Sequence, residues 1–270
     1  EILQEVEVNL REGAKSVCLH SEDVWRYGAK GPIPDEDKVI TLFERVLELT
    51  PHVGVSHAAF ASVACKPGLV KRVTELLDSH GGGAPWYSAQ MGIETASPEL
   101  VRRYMPGKPL PWKPEEWADV VLRAHEILAE NHWVPCSTLI SGLPGETARD
   151  VELTIELVER LREFKSLIVP LFFVPIGMLK GGKFFLKEDM LPEHWKLLAV
   201  CMEHNFHWVD KLAQEHLQNR LQRVFVRRVV LQMFRRKLGE PLKLMKEGID
   251  PTKEGVPIHV RTPAPVAAES

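Results

Sequence analysis

The chain lacks paired cysteines. Its four, Cys18, Cys65, Cys136 and Cys201, stand singly, and no CxxC or CxxxC spacing occurs. No zinc or iron–sulfur site is therefore written locally. A chain of this size builds a core without disulfides, so the four read as free thiols in a reducing compartment, and the protein is expected in the cytoplasm. The sequence also lacks an apolar run of about 18 residues, which excludes a transmembrane helix. It has no signal-peptide pattern and no GKS or GKT phosphate loop. A net charge of -3 supplies no strong nucleic-acid signal. An initiator methionine is missing as well. The opening EILQEVEVNL is already in helical rhythm, which fits a processed terminus or a segment of a longer polypeptide.

What is present is a regular alternation. With 270 residues, 44% hydrophobic and 26% charged, the chain can bury one substantial core. Helical spacing is expected over 1–12, 35–50, 68–80, 98–105, 114–132 and 147–164. Apolar, strand-like runs fall at 14–20, 52–60, 86–94, 133–142 and 166–176. The first helix ends at Gly13, and the run Gly81 to Gly83 closes the third. Serial βα units of this kind predict an α/β fold with a parallel sheet covered by helices. Periodicity leaves an open sheet, a full barrel and a partial barrel all standing. Three regions follow: a βα body over 1–176, a helical extension over 177–249, and a Pro-rich irregular tail over 250–270.

Ligands of parallel βα proteins meet the carboxyl ends of strands, which sorts the polar residues. His20, Ser21, Glu22 and Asp23 end the first strand, where carboxylates could grip an amino group. Ser and Asp are equally common as helix caps. His57 near the second strand's end could act as acid, base or ligand, although a satisfied core histidine is the commoner state. Glu94 ends the third strand in QMGIETASPEL, and burying it requires a partner: a ligand hydroxyl or ammonium, or an arginine such as Arg103. Thr95 or Ser97 could cap the next helix, with Pro98 in its first turn. In TLISGLPGETARD, Gly142 and Gly145 permit close backbone approach, and Thr147 with Asp150 forms a near capping box. That turn could receive a flat group, or be turn chemistry alone. Trp112 and Trp117 either close a pocket or cover the sheet edge. His204, His207 and His216 could share a metal only with a further ligand. Over 219–237, Arg220, Arg223 and Arg227 oppose Phe225, Val229 and Met233, which suits a helix docked on the body with a solvated basic face.

Taken in order, HSEDVWRYG, QMGIETASPEL and TLISGLPGET resemble the body of radical S-adenosylmethionine (SAM) enzymes. The likeness is strongest to the group with cobalamin-dependent and methylthiotransferase-like members, and it covers about residues 1–176. It implies a partial parallel (β/α) barrel. It further implies that Ser21, Glu22 and Asp23 approach the SAM amino group, in a version that departs from the usual glycine-rich form. Glu94 would address the ribose or amino-acid portion. Ile140 and Gly142 would lie beside adenine with Glu146 in the following turn, and Val174 to Ile176 would border adenine from the last strand. The family's CxxxCxxC loop, which holds a 4Fe-4S cluster and precedes the first helix, does not occur in these residues. In the family the reduced cluster cleaves SAM to a 5'-deoxyadenosyl radical that abstracts hydrogen from a substrate, here unidentified. An electron donor such as ferredoxin or flavodoxin is implied, and an upstream cobalamin domain is common. The RNA-binding C-terminal domain of methylthiotransferases is not recognisable in 177–270. Two other readings stand beside this one: a cluster-free binding or scaffold protein on the same barrel, and an unrelated βα enzyme using Glu94 and His57 with a metal.

Overall fold

A computed structural model describes residues 1–81, 84–217, 219–226 and 232–253. Helix α1 (Ile2–Arg11) leads into β1 (Val17–Leu19), and α2 (Glu36–Leu47) into β2 (Val53–Val55). Two helices follow, α3 (Phe60–Cys65) and α4 (Pro67–Ser79), before β3 (Gln90–Glu94). Helices α5 (Pro98–Tyr104) and α6 (Trp117–Glu130) precede β4 (Cys136–Ser141), and α7 (Ala148–Arg160) precedes β5 (Leu167–Phe172). The extension holds α8 (Pro192–His216), α9 (Arg220–Phe225) and α10 (Gln232–Lys246).

The strands form two parallel sheets, β1-β2 and β3-β4-β5. A parallel bridge between His57 and Gln90 joins them, with the Gln90 N–H donating to Ser56 O at 2.8 Å and the Ala58 N–H to Gln90 O at 3.1 Å. The series therefore runs in chain order, as the sequence predicts for serial βα units. The fold is mixed α/β with parallel strands, and among the described residues the strands close no barrel.

Alternation along each strand sorts the faces. Met91 and Ile93 on β3, Leu139 on β4 and Ile168 on β5 are buried beneath the helices. Gln90 and Gly92, Thr138, and Val169 and Leu171 take the opposite face. That face carries exposed Val169 and Leu171, whereas parallel sheets are normally covered on both sides. The open face is thus the natural place for something else to bind.

Three expected boundaries shift. The run 52–60 is a short strand followed by α3, because Asp23 reaches across to cap it. The run 166–176 ends as a strand at Phe172: Phe173 turns in against Leu100 and Leu143, and Val174 and Ile176 lie beyond it, exposed. The helical extension expected over 177–249 has its first α-helix only from Pro192. Of the basic helix, Arg227 and Val229 and the side chains of Arg220 and Arg223 fall outside the described residues, as do Gly82, Gly83 and tail residues 254–270.

Candidate functional site

The polar residues of greatest interest gather where β2, β3 and β4 end. A cavity of about 240 Å³ there is lined by Glu22, His57, Gln90, Glu94, Lys108 and Thr138, with Phe60 and Trp117 among its walls. Glu94 is its centre. Its backbone is left-handed, with φ of 64°, an uncommon state for a residue other than glycine. The register slips between Gly92 and Glu94, and this bulge redirects the carboxylate back along the strand. Gly92 makes room for it. A Cβ at that position would stand 1.8 Å from Glu94 Oε1 and 2.7 Å from Lys108 Nζ. Here the glycine is required by a close approach, and the approach belongs to the site.

Glu94 Oε1 accepts from Lys108 Nζ at 3.0 Å and Oε2 from Thr138 Oγ1 at 3.3 Å. The partner is not Arg103. Helix α5 ends at Tyr104 and the following loop carries Lys108 back over the sheet, while Arg103 lies against Gly145 and the Tyr104 ring. Lys108 went unread in the sequence because the segment MPGKPLPWKPEEW drew attention through its tryptophans, and the course of a loop depends on packing. Trp117 donates its Nε1–H to Ile93 O at 3.2 Å and is buried beneath the cavity, while Trp112 packs against the core.

The first-strand motif divides. Glu22 is exposed at the cavity. Asp23 turns inward, accepting from Trp25 N–H at 3.2 Å, Ala59 N–H at 3.1 Å and Ser62 Oγ at 2.6 Å. Burial raises its carboxyl above the ordinary range, against the pull of these hydrogen bonds. Its acceptor capacity goes to capping. Ser21 donates its N–H to Ser56 Oγ at 3.3 Å, and Ser56 Oγ also meets His57 Nδ1 at 3.0 Å. His57 stands edge-on to His20 at 5.5 Å.

The Gly142 turn lies at the end of β4. Gly142 has φ of 86° and Gly145 of 81°. A Cβ on Gly142 would strike the Phe185 ring at 2.0 Å, and one on Gly145 would sit 3.1 Å from Arg103. Tyr104 Oη donates to Pro144 O at 2.6 Å. The Glu146 carboxylate accepts the Gly142 N–H at 2.5 Å. Ile140 is partly buried beside this turn. Ser97 and Thr147 cap α5 and α7 as expected, and Asp150 completes the box.

Glu94 and His57 share a cavity, yet no group of three metal-ligating side chains occurs among the described residues. Of the C-terminal histidines, the His216 side chain lies outside the described residues, and His204 and His207 are placed apart. His204 is buried against Ser166, and His207 lies on the surface beside Trp208 and Lys211. No described helix is long and apolar enough to cross a membrane.

Fold and site define an α/β protein with parallel strands. No family model matches the chain. An uncharacterized protein of Methanopyrus kandleri is 29% identical over 192 residues, 68% of this chain and 34% of that protein. The chain thus spans about a third of that relative's length.

Proposed function

We propose that the chain is the greater part of a partial barrel from a radical SAM enzyme, with the cavity at Glu94 receiving the polar end of SAM. The observation that carries the reading is the Glu94–Lys108 pair over Gly92. An acceptor and a cation facing one polar cavity suit a ligand bearing both an ammonium and a carboxylate, which can replace each partner without leaving a buried charge alone. Thr138 adds a hydroxyl, and Ile140 continues the wall toward a flat, less polar group. Two further features agree. The strands run in sequence order with helices on one face, and the other face is open.

The cluster itself does not fit these residues. Cys18 is exposed, Cys201 is buried, and Cys65 and Cys136 are intermediate; no three of them make a ligating set among the described residues. Under this reading a CxxxCxxC segment precedes residue 1, and β1 offers its free edge to a strand leading into it. Bound there, the cluster would supply the electron that cleaves SAM. The present residues bind and orient the nucleoside, shape the open face for a substrate, and limit water at the cavity. Substrate, reaction subtype, any cobalamin and the electron donor belong to the same proposal.

The alternative is a cluster-free binding or scaffold protein on the same architecture, which an intact polypeptide without an upstream CxxxCxxC would favour. Anaerobic reconstitution of the intact polypeptide with iron and sulfide separates the two. Stoichiometric iron and release of 5'-deoxyadenosine from SAM are expected. A polypeptide that holds no cluster and leaves SAM whole would move the weight to the alternative.

A further inference from the structure

The helical extension reaches into the Gly142 turn through one side chain. His194, on the first turn of α8, places Nε2 2.9 Å from Glu146 Oε2. Both side chains are almost fully buried, at 3% and 5% exposure. The opposite ring nitrogen, Nδ1, accepts the Leu191 N–H at 2.9 Å. An imidazole nitrogen that accepts carries no proton, so the proton sits on Nε2 and is donated to Glu146. The same carboxylate oxygen accepts the Gly142 N–H. A continuous chain of donors and acceptors therefore runs from the start of α8 to the end of β4.

Phe185 strengthens the connection. Its ring lies on the bare Cα of Gly142 and 5.0 Å from the His194 ring. A cavity of about 360 Å³ is lined by both the turn and residues within 182–191, with Glu146 and His194 in its wall. A carboxylate buried with only one N–H would be poorly compensated, and a turn with two left-handed glycines has many alternatives when released.

We infer that His194 is a positioning residue: through Glu146 it holds the Gly142 turn in its observed conformation, making the extension part of the ligand-binding edge. The competing role is a plain helix cap, since a side chain at the third helical position commonly reaches back to the N-cap amide. The two roles differ at Gly142, not at α8.

The test uses the 270-residue chain and two variants. In the wild type, imidazole nitrogen NMR is expected to show Nε2 protonated and Nδ1 bare; the reverse tautomer would overturn the inference without any mutation. His194→Phe keeps an aromatic ring but removes both contacts, and Gly142 amide exchange should rise at least about tenfold. His194→Gln can both accept from Leu191 and donate to Glu146, and should restore protection to within about threefold. A cap alone would expose the first turn of α8 in His194→Phe and leave Gly142 unchanged. The ligand arm rests on the SAM reading: S-adenosylhomocysteine affinity should fall about tenfold in His194→Phe and recover in His194→Gln. If the wild type fails to bind the probe while Gly142 exchange responds as expected, the SAM reading fails and the positioning role stands.

Discussion

The two edges of the strand series are finished in opposite ways. At β5, Asn205 from α8 donates to Ile168 O at 2.7 Å and accepts the Ile168 N–H at 2.8 Å. Its amide imitates a neighbouring strand. Pro170, next along the same edge, has no N–H to offer, a common device for blunting edges. At β1, Val17 and Leu19 bond toward β2, so Cys18 turns its peptide outward. Among the described residues nothing takes those groups, and beside them lies a mostly apolar cavity of about 490 Å³ lined by Ile2, Val6, Val17, Leu19 and Leu42. The half that carries β3 to β5 is closed by its own extension. The half that carries β1 and β2 leaves its outer edge unpaired among the described residues.

The largest expected effect lies in the closed half and concerns acid. Burial lowers His125 and His204 to about 4. Their folded values lie below the unfolded value of about 6.5, so the unfolded chain binds more protons between the two. The stability they support is complete above pH 6.5 and is lost as pH falls toward 4, on the order of 2–3 kcal/mol per ring. Urea midpoints measured across that window should fall steadily; a flat profile would mean that these rings are solvated.

Gly142→Ala comes next. The methyl group would overlap the Phe185 ring at a left-handed position, costing about 3 kcal/mol in chemical denaturation. A loss below about 1 kcal/mol would show that Phe185 does not rest there. Asn205→Ala strands the N–H and C=O of buried Ile168 and should cost about 2 kcal/mol, with increased self-association as the β5 edge opens. An unchanged midpoint would remove the contrast between the edges. The smallest effect is kinetic. Exposed Cys18 should react with a thiol reagent in the native state, whereas Cys201, buried and with its thiol pushed up to about 12, should react only on unfolding. Equal native rates would contradict the difference between the halves.

Most of the body was legible in residue order. Alternating strand and helix patterns gave the parallel α/β class, and Ser97, Thr147 and Asp150 announced helix starts through capping chemistry. Glu94 was recognisable as an acid at a strand end flanked by glycine. Its partner was not, because Lys108 arrives through a loop whose course depends on packing. Asp23 read equally well as ligand contact or cap, since both uses need the same short carboxylate; only Ala59 and Ser62, distant in sequence, decide where it points. His194 carried no local signal at all, as its meaning depends on Glu146, 48 positions away along the chain. Tertiary partners, not propensities, made the difference in each case.

The central claim is that the Glu94 cavity binds the polar end of SAM, and amide chemical shifts during titration with S-adenosylhomocysteine test it most directly. The account predicts saturable changes at Gly92, Glu94, Thr138 and Ile140, weakened at least about tenfold in Gly92→Ala because the added methyl displaces Glu94 and Lys108. No change at millimolar probe, or changes confined to another face, would contradict it.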